Sequence, residues 1–446
     1  MKPRIHLAFD VSWTHLEGRW RLPGSWGGRT YPDLSIYREI ASIAERGLVD
    51  MIFFGDTPGI PASWRGSFEE SVRWGIGFPR HDVSPIIAVL SQETKHVGFG
   101  LTYSSTYMHP YYVARLLNSL DHITNGRMAF NVVASSSKAA AANFGFDELM
   151  EHNSRYDRME EFIDVCKALW ASIEPDAFVW NRDTGVVIED PRKVKAINHS
   201  GPFFKVKGPL ACVPSPQIGP VLIQAGGSPR GIRASAHFAD LVFGAGKPTP
   251  LKIKHRNDLD VELKAKGRDP NKVGILWEVI LVVAETEAEA KRRREQLLTA
   301  IPIEGAGAFL SGHTGYDFSK LPARFKLSDL NAEITAGNAS PVTLIHRMAF
   351  GGNSDLEFTR EEFFREAMKI ATGYDKTIAG TATQVADHLE EEFEATGSRG
   401  GFMIEHPTKS PRDYLDVVDF LVPELQRRGR YRSSYEGRTL MENLAA

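Results

Sequence analysis

Residues 96–135 read HVGFGLTYSSTYMHPYYVARLLNSLDHITNGRMAFNVVAS, and this stretch decides the fold. It contains two short apolar runs, at 96–102 and 128–133, with a segment of helical periodicity between them. The turn signal Asn125-Gly126 leads into the second run. Near-continuous apolar strands that alternate with helices are typical of a parallel sheet covered on both faces.

The same alternation extends along the whole chain. Further apolar runs occupy residues 5–11, 50–56, 220–228, 239–245, 275–285 and 400–407. Helical segments occupy residues 153–171, 229–238, 251–267, 286–299, 381–396 and 411–427. Eight strands alternating with helices predict an α/β protein with a (β/α)₈ TIM barrel. A doubly wound open sheet is the structural alternative.

The chain is longer than such a barrel requires. It has 446 residues, whereas a (β/α)₈ barrel needs roughly 250, so we expect insertions at 172–219 after strand 4 and at 300–375 after strand 7. The stretch GPFFKVKGP (201–209) predicts a small hairpin in the first insertion. We expect the second insertion to be a lid, with GAGAFLSGHTG (305–315) supplying hinge glycines. Without repeats or low-complexity linkers, residues 1–446 are expected to form one domain.

Composition and charge favour a soluble cytoplasmic protein. The formal net charge of −3 provides no positive field for nucleic acid or an anionic membrane. Cys166 and Cys212 are too few for a disulfide framework and lack CxxC spacing. No apolar stretch approaches the ~18 residues of a membrane span, and the N-terminus lacks the apolar core of a signal peptide. We therefore expect neither a nucleic-acid nor a membrane partner.

Small polar residues stand at the ends of several predicted strands. Asp56, Thr102 and Asn131 end strands 2, 3 and 4, while Ser135 and the Gly-Gly-Ser at 226–228 follow strands 4 and 5. Barrel active sites lie at the carboxyl ends of the strands. These groups suit an uncharged ring with many hydrogen-bonding atoms better than a metal. Satisfaction of backbone groups at the strand ends is the alternative interpretation.

The stretch QAGGSPRG (224–231) is a candidate anion site. Ser228 stands at an N-cap position and Pro229 in the first turn of the predicted helix, so free backbone N–H groups point outwards. Phosphate is a common ligand of such helix starts, and Arg230 could add charge. An ordinary capped helix would give the same pattern.

Two further sets of residues suggest ligand contacts. His152 and Tyr156 lie four residues apart on one helix face, where they could hold a phosphate or a ring edge, relay a proton, or simply form a half-buried structural pair. After the first strand, WTHLEGRW (13–20) places aromatic rings around His15. These rings could roof a flat ligand or pack beneath the insertions.

Motifs for several other chemistries are missing from the sequence. There is no HExxH and no His-x-His pair after strand 1, so a mononuclear zinc or amidohydrolase-type centre is not predicted. There is no Gly-x-Ser-x-Gly nucleophile elbow. No Walker motif occurs, and no Gly-x-Gly-x-x-Gly opens a helix after a strand, so a nicotinamide site is not indicated either.

Several long motifs resemble those of the bacterial-luciferase-like flavin-dependent monooxygenases. Within that family they resemble the group that includes nitrilotriacetate monooxygenase component A and dibenzothiophene-sulfone monooxygenase. Besides residues 96–135, the motifs are RGSFEESVRWGIGFPRHD (65–82), EHNSRYDR (151–158) and VPSPQIGPVLIQAGGSPRG (213–231). The ending FLVPELQRRGRYRSSYEGRTLMENL (420–444) is similar as well. The resemblance therefore covers nearly the whole chain.

The resemblance implies a two-component monooxygenase. Reduced FMN from a separate NAD(P)H:flavin reductase would react with O₂ to a flavin C4a-(hydro)peroxide, which oxygenates a small organic substrate. A homodimer or homotetramer is also implied. The implied flavin contacts are Asp56, Thr102, Asn131, His152, Tyr156, Gly227 and Ser228. Ser228 and its helix start would hold the FMN phosphate, and His15 is our candidate proton donor or substrate contact.

Three residues depart from the family motifs, and three other functions remain open. Ala134, Leu210 and Gly401 stand where Thr, His and Asp are common, which bears on flavin contact or substrate choice. A flavin- or deazaflavin-dependent reductase would use the same barrel for hydride transfer, and a non-catalytic flavin-binding protein would use it without oxygen chemistry. A sugar- or phosphate-binding isomerase would need a carboxylate base with Lys or His at strand ends, for which Asp56 alone is thin support.

Overall fold

The computed structural model describes residues 2–12, 20, 22, 24–26, 33–300, 303–334, 355–373, 376–405, 408 and 410–445. In these residues, eight parallel strands form a closed barrel, because each strand pairs with the next and the last pairs with the first. The strands are β1 (His6–Asp10), β2 (Met51–Phe54), β3 (Gly98–Ser104), β4 (Met128–Val133), β5 (Val221–Gln224), β6 (Leu241–Gly244), β7 (Gly274–Val283) and β8 (Gly400–Glu405). The predicted (β/α)₈ barrel is confirmed, and the open sheet is wrong.

Helices surround the barrel and fill the connections between its strands. In the first half they are α1 (Ser35–Arg46), α2 (Glu69–Trp74), α3 (Ser84–Glu93), α4 (Pro110–Ile123), α5 (Lys138–Asn143), α6 (His152–Trp170) and α7 (Pro229–Phe238). They continue as α8 (Thr249–Ala265), α9 (Glu287–Thr299), α10 (Ile303–Thr314), α11 (Leu327–Ile334), α12 (Arg360–Ala371), α13 (Ala382–Ala395), α14 and α15 (Leu440–Ala445). Helix α14 runs without a break through Pro411–Asp416, a π-helical turn at Val417–Leu421, and Val422–Arg427.

Short strands outside the barrel belong to the insertions. His199–Ser200 pairs with Lys205–Val206 as the hairpin expected in the insertion after β4. Arg324–Lys326 pairs with Glu357–Thr359 in the insertion after β7. Ile378–Gly380 extends the sheet beside the end of β7. Single 3₁₀ turns lie at Trp64–Gly66, Pro191–Lys193, Pro270–Lys272 and Phe318–Lys320.

Side chains of the barrel strands alternate between the helices and the barrel interior. In β2, Ile52 and Phe54 pack with the helices, whereas Met51 and Phe53 belong to the interior cluster. This two-residue period explains the unbroken apolar runs, because both faces of each strand are buried. The lower interior layer consists of Ala8, Phe53, Ala129, Ile223, Phe243, Leu276 and Met403.

The C-terminal segment closes the lower end of the barrel. Leu440 of α15 joins the interior cluster, and its N–H donates to the carbonyl of Gly126 (2.9 Å). The buried guanidinium of Arg432 pairs with the buried carboxylate of Asp50, which also accepts a hydrogen bond from the Leu7 N–H (2.9 Å). The C-terminal motif is therefore part of the barrel's structural base.

The insertion after β7 has a hydrophobic core of its own. This core joins Phe309 of α10 and Phe363 of α12 to Trp64, Trp74 and Ile280. The two tryptophans lie in the connection between β2 and β3, and Ile280 lies in β7, so two separate insertions pack together against the barrel. We call this assembly of residues 57–83, 303–334 and 355–371 the cap.

The glycines expected to form a hinge lie inside α10. A Cβ added to Gly305 would come within 3.0 Å of the Trp74 ring, and one on Gly307 would overlap the Trp64 ring. A Cβ on Gly312 would lie 2.7 Å from the Pro61 side chain. The hinge interpretation is wrong for these three residues. They are glycines because the helix packs directly against large side chains.

Across the described ranges, no helix combines the length and the apolar character that a bilayer crossing would demand.

Gly307→Ala should destabilise the cap, because its new methyl group would overlap the Trp64 ring. We expect the free energy of unfolding to fall by about 1–3 kcal/mol, as for other overpacked positions. Urea denaturation followed by circular dichroism measures the change. The matched control is the same substitution in a Trp64→Leu background, where the cost should shrink. Equal costs in both backgrounds would contradict the packing account.

Candidate active site

Polar side chains form the upper layer of the barrel interior. They stand two residues beyond apolar interior positions, as Asp10 does beyond Ala8 and Asn131 beyond Ala129. The layer consists of Asp10, Thr102, Asn131, Glu278 and Glu405. All but the half-buried Glu278 are buried. The layer lies at the carboxyl ends of the strands, where barrel enzymes place their active sites.

Thr102 and Asn131 form the neutral side of this layer. They are direct partners in the register of β3 and β4, and the Asn131 Nδ2 donates to the Thr102 Oγ1 (3.0 Å). The buried Asn131 Oδ1 has no hydrogen-bond partner. Turning the amide over would exchange the two atoms and leave its nitrogen without a partner instead. Because an unsatisfied buried polar atom costs about 1–3 kcal/mol, the amide is suited to bind a ligand.

A cavity of about 400 Å³ opens beside these residues. Its lining includes the predicted site residues Asp56 and Thr102, together with Ser104 and Ser135. Asp56 accepts a hydrogen bond from the Thr57 N–H (2.8 Å). The structure thus brings together the polar ends of strands 2, 3 and 4, as the sequence predicts.

Charged groups occupy one wall of the cavity. Burial raises the pKa of Asp56, and the Arg80 guanidinium, 3.9 Å away, opposes that rise. Arg80 also donates to the Thr57 carbonyl (2.6 Å). The Tyr103 hydroxyl lies 3.0 Å from both carboxylate oxygens of Asp82. Arg80, Tyr103 and Asp82 were not among the site residues expected from the sequence, because only the fold places them on this cavity.

The Gly-Gly-Ser turn lies where the sequence places it. Ser228 is the N-cap of α7, and its Oγ accepts a hydrogen bond from the Gly231 N–H (3.1 Å). A Cβ on Gly226 would lie 3.0 Å from the Gly231 Cα, so the turn folds tightly onto the helix. Among the described residues, only the Lys247 Nζ lies within 4 Å of the Cβ position of Gly227. The helix start is therefore an open cradle on that side, which suits an anion.

His152 and Tyr156, two further predicted site residues, lie on α6. Their rings lie 5.1 Å apart on the first turns of α6. The Tyr156 hydroxyl comes within 3.1 Å of the Cβ position of Gly231, so it borders the start of α7. His152 is exposed, and its Nδ1 lies 3.1 Å from the Asn153 side-chain oxygen. Tyr156 is the closer of the two to the cradle.

Arg230 does not supply free positive charge to the cradle. Its guanidinium donates to the Glu160 carboxylate (2.6 Å) and to the Asp157 carboxylate (2.7 Å), and it stacks on the Tyr156 ring. The charge expected from Arg230 is therefore balanced by α6. This expectation from the sequence was wrong, because the two carboxylates belong to another helix.

The cavity beside Thr102 and Asn131 and the cradle at the start of α7 lie at the same end of the barrel. Asn131 is the register partner of Ile223 in β5, and Gly226 follows Ile223 by three residues, or roughly 10 Å of extended chain. The five-carbon ribityl chain of FMN links a polar ring to a phosphate over a comparable span. The unsatisfied Asn131 amide and the glycine cradle therefore fit the two ends of that molecule.

Two glutamates of the upper layer were missed as site residues. Glu278 hydrogen-bonds to Glu405, and burial together with the Glu405 charge raises the pKa of Glu278 to about 8. Glu278 also accepts a hydrogen bond from the Gly246 N–H (3.2 Å). One proton is therefore shared by this pair at neutral pH. The sequence does contain a signal for both residues, because each is the one glutamate within an apolar run, ILWEVILVV or FMIEH.

The departures from the family motifs lie in different parts of the fold. Ala134 directly follows Val133, which lines the cavity. Leu210 is buried in the main core, and Gly401 pairs with His6 at the lower end of the barrel. Only Ala134 adjoins the site. His15 lies outside the described residues.

The chain is similar to known proteins along nearly its whole length. A family model described as luciferase-like monooxygenase matches residues 18–400. Dibenzothiophene-sulfone monooxygenase of Rhodococcus erythropolis (strain XP) is 35% identical over 445 residues, covering 99% of this chain and 96% of that protein. Nitrilotriacetate monooxygenase component A of Aminobacter aminovorans is 35% identical over 457 residues, covering 99% and 95%.

A solved structure adds a similarity to a flavin complex. The crystal structure of riboflavin lyase with modified FMN and the substrate riboflavin has a TM-score of 0.84 and 28% sequence identity. The match covers 99% of this chain and 95% of that one.

The glutamate pair should make stability depend on pH. Between about pH 4.5 and pH 8 the folded protein keeps a proton that the unfolded chain has released. The free energy of unfolding should therefore fall as pH rises through this window, by at most about 1.4 kcal/mol per pH unit. Glu278→Gln should remove this contribution, so the variant gains stability relative to the native protein towards pH 8.

Urea denaturation at several pH values across that window measures the effect. Glu148→Gln, at an exposed position, is the matched control and should follow the native protein at every pH. A stability difference between Glu278→Gln and the native protein that stays constant with pH would contradict the shared proton.

Proposed function

The chain belongs to the luciferase-like monooxygenase family and is a flavin-dependent enzyme, and we propose that it uses reduced FMN and O₂ to oxygenate a small organic substrate. The observation that carries the proposal is the buried Asn131 amide, which has an unsatisfied atom beside the cavity-lining Thr102. A flavin ring edge offers both donors and acceptors to such an amide. The family relation supplies the oxygen chemistry.

Each part of the cofactor has candidate contacts. When bound, the reduced flavin supplies activation of O₂ at its C4a position. Thr102, Asn131 and Asp56 would contact its ring, and the start of α7 with Gly227 and Ser228 would hold its phosphate. His152 and Tyr156 border the phosphate end. These residues bind and orient the cofactor, and His15 serves as proton donor or substrate contact.

The cap keeps water away from the flavin. The oxygen chemistry that reduced flavin would supply requires a pocket from which water is excluded. The insertion at 300–375 acts as a lid, supported by its packing with Trp64 and Trp74 over the upper end of the barrel. Because α10 is rigidly packed at its glycines, closure moves this helix together with the two tryptophans.

A separate NAD(P)H:flavin reductase supplies the reduced FMN. The chain lacks a glycine-rich nicotinamide motif, and a relative carries the name component A, which implies a second component in that system. The enzyme assembles as a homodimer or homotetramer, the expectation from its family and the commonest form of soluble oligomers.

The native protein should alter how reduced FMN reacts with oxygen. After rapid mixing of the anaerobic protein–FMN complex, reduced by light, with oxygenated buffer, we expect O₂ uptake to precede the return of oxidised-flavin absorbance. An oxygen electrode and stopped-flow absorbance measure the two events, and free reduced FMN is the control. If O₂ uptake and the return of oxidised-flavin absorbance coincide and occur at the rate of free FMN, the oxygenase proposal is contradicted. Tight binding of oxidised FMN without a delay would favour a flavin-binding protein, and hydride transfer from a reduced deazaflavin would favour a reductase.

Product formation provides an independent check. Dibenzothiophene sulfone and nitrilotriacetate, the compounds named in two relatives, are the first probes for oxygen incorporation. Under ¹⁸O₂, an oxygenated product should contain one labelled atom, detected by mass spectrometry. Product that carries oxygen only from water would contradict a monooxygenase reaction.

Asn131→Leu should weaken the binding of reduced FMN about tenfold, because the hydrogen bond is lost while the side chain stays branched at the same atom. Anaerobic titration calorimetry measures the dissociation constant. The matched control is Asn257→Leu, the same change at an exposed position of α8, which should bind as the native protein does. Unchanged affinity in Asn131→Leu would remove the ring contact from the proposal.

A further inference from the structure

The start of α7 needs a positive charge if it is to hold a phosphate dianion tightly. The helix dipole and free N–H groups contribute part of the attraction. Arg230 is already engaged by Glu160 and Asp157. The cation that attracts the phosphate must therefore come from elsewhere in the fold.

Lys247 places a cation against the Gly-Gly-Ser turn. Its Nζ lies 3.1 Å from the position that a Cβ would occupy on Gly227. Within the ranges that the structure describes, Lys247 forms no ion pair with a carboxylate. Because no carboxylate engages it, the Lys247 ammonium can pair with an anion in the cradle.

The backbone around Lys247 is held in place from three sides. The Gly246 N–H donates to the Glu278 carboxylate (3.2 Å), and the Gly246 carbonyl accepts from the Lys376 ammonium (2.7 Å). The Lys247 N–H donates to the Ala245 carbonyl (2.7 Å), which closes a tight turn. Pro248 follows with its fixed φ and leads into α8. The lysine therefore stands on a rigid loop, which lowers the entropic cost of placing its ammonium.

The neighbouring histidine contributes no competing charge. His255 lies on α8 and packs edge-on against the Trp277 ring. Burial and the nearby Lys247 charge lower the pKa of His255 to about 4, so its imidazole is neutral at physiological pH. This histidine therefore adds no charge beside the Lys247 ammonium.

We propose that Lys247 binds the phosphate of the flavin cofactor and thereby selects FMN over flavins that lack a phosphate. This inference rests on the proposed function. The proposed phosphate contact lies outside the Gly-Gly-Ser motif. Lys247 follows β6, whereas the motif follows β5. In the native protein the ammonium and the α7 N–H groups hold the phosphate from two sides.

Binding of oxidised FMN and of riboflavin, measured by quenching of flavin fluorescence, tests the assignment. The native protein should prefer FMN, and the preference should shrink as salt is added. Lys247→Met should weaken FMN binding about tenfold and leave riboflavin binding unchanged. Lys247→Arg keeps the charge and should retain most of the preference.

Two control variants separate charge at the cradle from general effects. Lys254→Met removes an exposed lysine of α8 that pairs with Asp258, and it should leave the FMN-to-riboflavin ratio unchanged. Lys264→Met, the same change at another exposed lysine of α8, should also leave this ratio unchanged. Thermal unfolding establishes that each variant is folded.

Three outcomes would overturn the assignment. In the first, Lys247→Met weakens FMN and riboflavin equally, which would mean that the lysine only supports the fold. In the second, Lys247→Met retains the native ratio, which would place the phosphate elsewhere. In the third, the native protein binds neither flavin, and the proposed function fails together with this assignment.

Discussion

Closure of the eight strands into a barrel is the constraint on which the rest of the structure depends. Closure sends alternate side chains of every strand into one shared interior, so positions two residues apart stack in layers. The lower layer is apolar and the upper layer is polar, as the step from Ala129 to Asn131 illustrates. The apolar layer stabilises the barrel, and the polar layer contains an unsatisfied buried amide atom that is suited to bind a ligand.

Charge is distributed unevenly around this upper end. Thr102 and Asn131 form a neutral side suited to a ring, whereas Glu278 and Glu405 share a proton on the opposite side. Glu278 also fixes the loop that carries Lys247. The acidic pair is therefore connected to the loop of Lys247 through one backbone hydrogen bond.

The cap shows how distant insertions form one structural unit. Trp64 and Trp74 precede α10 by more than two hundred residues, yet their rings occupy the space left by its glycines. The glycine-rich stretch has the composition of a hinge and the structure of a tightly packed helix. Local composition predicts flexibility only when no partner covers the chain, and here the partner comes from the connection after β2.

The sequence by itself determined the architecture and the family. Apolar runs and helical segments are local patterns, so all eight strands and the small hairpin could be predicted from them, and the long motifs identified the luciferase-like family. The turn at Ser228 was predictable for the same reason, because its capping residues are adjacent in the chain.

Only the tertiary structure decided which polar groups meet and which charges remain unbalanced. Arg230 carries a charge in the sequence, but Asp157 and Glu160 of α6 balance it in the fold. Lys247 bears no local signature, and the pairing of β5 with β6 brings it to the site. The physical reason is that hydrogen bonds and electrostatic interactions depend on distance in space, which barrel closure sets between residues that are far apart in the chain.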